Sequence, residues 1–554
     1  MVAWACVIAL GCPATLPTAS AQNRLPTLGD PASEDFSIAT ERQLGDAIMR
    51  EIRADPDYLD DPVLLEYLQS LFQPLVAQAR VRGNISPDVD ARLAWQPFLV
   101  RDRSVNAFAL PGGYIGVHLG LMAMTATRDE LASVLAHELS HITQRHIARS
   151  IANSKHQSLL SLAALVVGLL AASRAGNSSA DAVNATVVGS QALAAQGQLN
   201  FSRDMEREAD RVGFALMSGS GFAPGGMAAM FEKLDQSSRL NDSGGFPYLR
   251  SHPLTSERIG EARARLGTSD ASRLGTSDAS RLGASDASRQ GASDASRLAT
   301  GPSTAPASAL EHTAAQARSR VMMDARFDAL RRWQALDGDR VSTTAADKLA
   351  SAYESALAST LLRDWSRADA SIATALGLVR GAGAPQAALP DARAERAVVL
   401  LQVQSLLARG DVAKAVRALE PYATDGSRPV LLLSAQAALA ATAPSRAEAT
   451  EALKQRAADL QTWVAVNPRD APAWTALSQI DERLGQPLRA IRADAEARVA
   501  LGDLPGAADR LRAGQRRARS GGAVDFIEVS VIDARLRDIE LQRRKNDADE
   551  KAFK

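Results

Sequence analysis

Along most of the chain, apolar residues recur three and four positions apart, the period of a helix packed on one face. Residues 41–53 and 62–79 follow that period. Asp60-Asp61-Pro62 breaks between them, which predicts two helices packed on the helices that follow over 128–151 and 201–213. Residues 90–118 alternate instead, with Phe98, Val100, Val105, Phe108, Tyr114, Ile115 and Val117. That predicts a small sheet with a turn at Pro111-Gly112-Gly113. Helical spacing then resumes. Leu131, Val134, Leu135, Leu139 and Ile142 form an apolar stripe, and no Gly or Pro interrupts residues 128–151. Thr127 with Glu130 reads as a capping box, so this helix should start near Arg128. A second helix is expected over 201–213. A glycine-rich turn follows at 219–226, then a helix over 227–234 and a loop over 241–251.

The run 159–172 is nearly all apolar but shorter than the roughly 20 residues a spanning helix needs. It predicts a buried helix or a peripheral membrane contact. Residues 266–297 are four copies of an octapeptide, Leu-Gly-Thr/Ala-Ser-Asp-Ala-Ser-Arg, with Gln290 replacing the last leucine. Such a segment buries too little to offset its chain entropy, so 266–310 reads as a low-complexity linker. Residues 311–545 are alanine-rich and helical in pattern. A turn signature recurs at Arg363–Ala368, Gly410–Ala415, Gly485–Ala490 and Gly502–Ala507, and Trp474, Leu477, Ala490 and Ala497 follow the tetratricopeptide template. The uneven spacing means that one of the last two turns lies between repeats. The expectation is a degenerate helical-repeat domain with a protein-binding concave surface, capped by a last helix over 525–544.

Composition narrows the function. The 554 residues carry 63 basic and 63 acidic side chains, so no cationic excess exists to neutralise phosphates, which argues against nucleic acid as a partner. Val2 to Leu10 is apolar and Ala19-Ser20-Ala21 is a cleavage-like site, so residues 1–21 read as a secretory signal cut after Ala21, without the usual basic start. Both cysteines, Cys6 and Cys12, lie inside it. Any metal site in the mature chain must therefore use histidine and carboxylate.

Such a site is offered by His137-Glu138-Leu139-Ser140-His141. Histidines four apart lie about 40° apart around a helix, one turn up, so both imidazoles can share one metal. Glu138 is placed to reach a metal-held water. The pattern is short, and paired histidines also occur as plain core or surface residues, so a third ligand is needed. His146, nine residues past His137, would point about 180° away on a continuous helix, which makes it structural rather than a ligand. Gln144 and Ile147 stand where a metzincin needs Gly and His. The best third-ligand stretch contains Glu206, Glu208 and Asp210. Glu206 and Asp210 share one helix face, where a ligand carboxylate and an acid holding a histidine N–H would make sense. Glu208, about 200° round from Glu206, should face away. The other reading of this run is a charged, solvated helix face.

Four segments together resemble one family: Asn106-Ala-Phe-Ala-Leu-Pro-Gly-Gly-Tyr114, the helix from His137 to His146, Glu206-Arg-Glu-Ala-Asp210, and Ser251-His252-Pro253-Leu254 with Arg258. Residues 30–266 are similar to the zinc endopeptidases that include the CAAX prenyl proteases, and within them to the β-barrel assembly-enhancing members. The resemblance implies one zinc ion per chain, with Glu206 as third ligand, Asp210 as its supporting acid, and His252 as a gate or fourth ligand. Arg258 and His252 are candidate oxyanion stabilisers. Asn106, Ala107, Phe108 and Ala109 are candidates for an edge strand that binds extended substrate, with an ordinary hairpin as the other reading.

The expected architecture is mainly α with a small β-sheet: a gluzincin-like metalloprotease domain over 22–265, the linker, and a tetratricopeptide-like α-helical repeat domain over 311–554. The expected function is periplasmic zinc-dependent proteolysis serving outer-membrane β-barrel assembly and quality control. Unfolded or misassembled outer-membrane proteins would be substrates and the assembly machinery a partner. A non-proteolytic holdase or scaffold with a structural zinc is the alternative, and an intact Glu138 argues against it.

Overall fold

A computed structural model describes residues 36–153, 202–240, 247–266, 309–339, 344–381, 391–441, 446–519 and 525–553. The signal (1–21), the apolar run (159–172) and the octapeptide repeats after Leu266 lie outside the described residues. Among those described, no helix is long and apolar enough to cross a membrane.

The architecture is mainly helical with one four-stranded sheet, strand order β1-β2-β4-β3. Its strands are β1 (Tyr58–Leu59), β2 (Gln96–Val100), β3 (Ala107–Leu110) and β4 (Tyr114–His118). β3 and β4 form the expected hairpin, with Gly112 and Gly113 in the left-handed region at φ 81° and 87°. β2 runs parallel to β4, and β3 is an edge strand.

Strand alternation gives the sheet two apolar faces. Leu99, Ala107, Ile115 and Val117 join the main core, while Phe98, Val100, Leu110 and Tyr114 face a smaller one. This sorts the two N-terminal helices differently from expectation. Helix Pro62–Val81 is capped by Asp61, whose Oδ1 accepts from Leu64 N at 2.9 Å, and it packs on both helices of the site described below. Helix Ile38–Ala54 does not. Leu44, Ile48, Met49 and Ile52 cover the far face of the sheet. Gly45 permits that approach, because a Cβ there would lie 2.0 Å from the Pro111 carbonyl oxygen.

The carboxy-terminal helices pack pairwise, and the turn signature has a physical basis. Arg363, Gly410, Gly485 and Gly502 all have left-handed backbones, φ 60° to 87°, and each reverses the chain between consecutive helices. The alanine five residues later is buried every time: Ala368, Ala415, Ala490 and Ala507. A methyl group there lets the two helices close. The last helix spans Phe526–Phe553, longer than expected, with Asp525 Oδ1 accepting from Glu528 N at its start.

Helix Ala309–Met322 joins the two parts. Its Ala315 packs into the core that contains the sheet, while Ala314, Ala317 and Val321 pack into the helical core. His312 Nε2 lies 3.0 Å from the Thr125 carbonyl and must donate to it, so its Nδ1 accepts from the Tyr67 hydroxyl at 2.6 Å. Four arginines reach across as well: Arg318 to Asp61 at 2.7 Å, Arg396 to Glu66 at 2.6 Å, Arg428 to Asp60 at 2.6 Å and Arg469 to Asp46 at 3.2 Å.

Candidate metal centre

Helix Arg128–Thr143 starts where expected. Thr127 Oγ1 accepts from Glu130 N at 3.2 Å, and Glu130 reaches back to Ala126 N at 2.7 Å. It stops earlier than expected. Arg145 adopts φ 53°, unusual for a residue with a side chain, and a separate helix, His146–Asn153, leaves in a new direction. The Arg145 guanidinium holds the turn by donating to the Phe36 carbonyl at 2.7 Å and to Glu41 at 3.4 Å.

The second helix is Arg203–Gly219, started by Ser202, whose hydroxyl accepts from Met205 N. Gly213 sets how closely it crosses the first, since a Cβ there would lie 3.1 Å from the Ala136 carbonyl. A third contribution comes from His252. The expected loop before it contains a short helix, Pro247–Ser251, and His252 N closes that helix on the Tyr248 carbonyl at 2.8 Å. The His252 ring stacks on Tyr248 with centroids 4.7 Å apart. Tyr248 escaped sequence reasoning, although its i, i+4 spacing from His252 was the available signal.

These elements bring His137, His141, Glu206 and His252 together, each buried, with one ligand atom apiece within 4.8 Å of the others. His137 Nε2 and His141 Nε2 are 3.0 Å apart. Glu206 lies 3.4 Å from each. His252 Nδ1 is 3.0 Å from Glu206 Oε1 and 3.3 Å from His137 Nε2. The distal nitrogen of His137, Nδ1, faces Asp210 Oδ1 at 2.9 Å. Arg258 clamps the acids, donating to Asp210 at 2.7 and 2.8 Å, to the Pro253 carbonyl at 2.9 Å, and lying 2.9 Å from Glu206. With its donors engaged this way, Arg258 braces the carboxylates rather than facing an open position.

His146 does not face away. Because the helix breaks, its Nδ1 lies 2.9 Å from His141 Nδ1, and its Nε2 lies 3.1 Å from Glu208 Oε2. Glu208 is outside the ligand cluster, as expected, but it holds His146 and Arg149 rather than facing solvent alone.

Glu138 is fully buried. Its Oε2 accepts from Ala109 N on β3 at 3.0 Å. Its Oε1 has no hydrogen-bond partner among the described residues and lies 3.5 Å from His252 Nε2. Burial raises its pKa above the usual carboxylate range. Burial also opposes charge on Glu206, but the charges and hydrogen bonds of His252 and His137 outweigh it and hold that carboxyl well below the usual range. Burial alone would lower His137, yet hydrogen bonds to Asp210 and Glu206 lift it to about 10. Burial holds His141 well below its ordinary value.

The donor set fits zinc. Two imidazole Nε2 atoms converge on one point beside a buried carboxylate, so the centre demands a positive ion, a proton or a metal. Two histidines and one carboxylate are the ligand set of catalytic zinc.

Residues 66–266 match peptidase family M48. A Vibrio cholerae relative that bears the name beta-barrel assembly-enhancing protease provisionally is 40% identical over 250 residues, 45% of this chain and 49% of its own length. The Escherichia coli K12 beta-barrel assembly-enhancing protease is 32% identical over 247 residues, 45% of this chain and 48% of its own. The mitochondrial metalloendopeptidase OMA1 of Schizosaccharomyces pombe is 33% identical over 186 residues, 32% and 50%. The chain spans about half the length of the relatives it matches.

Proposed function

We propose that this chain, whose residues 66–266 match peptidase family M48, is a zinc-dependent endopeptidase of the periplasm acting in outer-membrane protein assembly. One observation carries the reading. A buried Glu138 stands between a four-residue ligand cluster and the edge strand β3, to which it is hydrogen-bonded through Ala109 N. A purely structural zinc site, as a scaffold would need, has no use for that carboxylate.

His137, His141 and Glu206 would hold the zinc, with Asp210 fixing His137 and Arg258 fixing both acids. Zinc, when bound, supplies Lewis acidity to the scissile carbonyl and to water. Glu138 takes the proton of the attacking water and passes it to the leaving amine; its Oε1, without a hydrogen-bond partner among the described residues, is the oxygen free to do so. Residues 106–109 receive the substrate as an added strand along β3. His252 closes the site or donates to the reacting carbonyl. The helical part recruits misassembled outer-membrane proteins, or the machinery that assembles them, through a tetratricopeptide-like surface.

Degradation of an unfolded β-barrel protein by the wild type and by Glu138→Gln tests this. The wild type should contain one zinc and cleave; the variant should keep the zinc and lose at least about a hundredfold in rate. A wild type without zinc, or equal cleavage by both proteins, would refute it.

A further inference from the structure

The ligand cluster has a second support that is independent of Asp210 and Arg258. We infer that His146 and Glu208 form a positioning relay that fixes the tautomer and ring orientation of His141. This rests on the zinc-peptidase reading but adds residues to it.

The geometry permits one arrangement of protons. His141 presents Nε2 to the cluster, 3.0 Å from His137 Nε2 and 3.4 Å from Glu206. An imidazole that offers Nε2 as a ligand is neutral and carries its proton on Nδ1. That nitrogen lies 2.9 Å from His146 Nδ1 in a site closed to solvent. Two Nδ1 atoms can share a hydrogen bond only if one is bare, so His146 Nδ1 is the acceptor. The proton of His146 is then on Nε2, directed at Glu208 Oε2 at 3.1 Å, and a carboxylate can only accept. Glu208 is in turn steadied by Arg149 Nη1 at 3.1 Å. The order Glu208, His146, His141 therefore runs in one direction.

The two zinc histidines are supported unequally. His137 rests directly on an acid, whereas His141 rests on a neutral imidazole backed by a half-buried acid. The relay exists only because Arg145 breaks the helix. On a continuous helix His146 would lie on the opposite face. The left-handed Arg145, tied to Phe36 and Glu41, stores a local strain whose return is to bring His146 back behind His141.

The test measures the zinc dissociation constant of the full-length holoenzyme by chelator competition, alongside the melting temperature of the chelated protein. His146→Leu should bind zinc about 10- to 100-fold more weakly, the usual effect of removing the partner of a ligating histidine. His146→Asn places a carbonyl oxygen where Nδ1 stood and should recover most of that loss. Glu208→Ala, at the outer end, should weaken zinc roughly 3- to 10-fold. The melting temperature of the chelated protein should move little across the series. Zinc affinity in His146→Leu within twofold of wild type overturns the relay. So does weakening by Leu and Asn alike, because packing and not an acceptor would then be responsible. Should His146→Leu fail to fold, Glu208→Ala decides, and unchanged affinity there overturns the proposal. Absence of zinc from the wild type instead defeats the peptidase reading itself.

Discussion

Ala109 and Glu138 are joined by a single hydrogen bond, from the backbone N–H of an edge strand to the carboxylate at the centre of the metal site, 3.0 Å long. In its hairpin Ala109 lies opposite Ile115, and its N–H points away from β4, toward the helix that carries the histidines. A peptide added to β3 would therefore lie beside Glu138 and compete for the N–H that Glu138 now holds.

Ala109→Pro removes that donor and leaves the ladder to β4, which proline tolerates on an outward-facing edge position. A lost hydrogen bond to a charged group is worth about 1.5–3 kcal/mol, so kcat/KM should fall about 10- to 100-fold. Zinc content should hold. Unchanged kcat/KM would remove β3 as the substrate edge.

Glu206→Gln should lose zinc, since the amide cannot supply the negative charge that the two imidazoles face at 3.4 Å. Glu208→Gln should keep a full equivalent at saturating zinc, because Glu208 lies outside the ligand cluster. Metal analysis of the two purified variants checks this, and the opposite pattern would reverse the assignment.

Asp481, in helix Ala471–Arg483, carries a pH dependence of its own. It is buried, and its Oδ1 has no hydrogen-bond partner among the described residues. Burial raises its pKa from 3.8 to about 6, against the pull of Arg489 and Arg492. An acid raised on folding favours the native state below its unfolded value of 3.8 and loses that contribution as pH rises through about 6. At pH 7.5 the wild type therefore carries a disfavoured charge. Asp481→Asn should be more stable by about 1 kcal/mol there after solvent screening, with no advantage near pH 4. Urea midpoints at the two pH values test it, and an equal difference at both would remove the carboxyl as the cause.

Much of this architecture was legible in the sequence because period and chemistry agreed. The helix of His137 and His141, the hairpin at Gly112-Gly113 and the buried alanines after each turn all follow from local pattern. What escaped depended on one backbone angle. Helical spacing put His146 on the wrong face because Arg145, a residue with no intrinsic liking for φ 53°, ends the helix, and its reasons are Phe36 and Glu41, a hundred residues earlier in the chain. The partner that Glu208 finds in His146 escaped for the same cause. The packing of helix Ile38–Ala54 escaped too, since an amphipathic stripe states that a helix is buried and not which sheet face will bury it.

The junction between the two parts makes its own prediction. Arg318 and Asp61 are both nearly inaccessible, paired at 2.7 and 2.9 Å, and Asp61 also caps helix Pro62–Val81. Arg318→Ala leaves Asp61 buried and unpaired, a change worth about 3–5 kcal/mol. Arg318→Lys keeps the charge but not the forked fit, so its loss should be smaller. Chemical denaturation followed through the tryptophans reads both. A change below about 0.5 kcal/mol for Arg318→Ala, the range of an ordinary surface substitution, would show that the junction does not depend on the pair.

His252 presents opposite nitrogens to two different groups. Nδ1 lies among the ligand atoms, 3.0 Å from Glu206, and Nε2 lies 3.5 Å from Glu138. A catalytic zinc keeps one position for water or substrate. His252 Nδ1 lies within the ligand cluster, where it would fill that position, and its Nε2 faces Glu138. The ring is backed by Tyr248 and followed by Pro253, whose carbonyl is held by Arg258, so the closed placement is well supported. Opening then means moving the segment from Pro247 to Pro253, which is joined to the residues just before the edge strand by a long hydrogen bond, Tyr248 N to the Val105 carbonyl at 3.4 Å. A restraining histidine and a catalytic one differ in sign. Removing a restraint raises basal proteolysis, whereas removing a donor to the reacting carbonyl lowers it about 100- to 1,000-fold. The placement of Nδ1 among the ligand atoms favours restraint, so His252→Ala should cleave an unfolded β-barrel protein several-fold faster than wild type while keeping its zinc. Slower cleavage with zinc content unchanged would make His252 a catalytic donor and sink the gate.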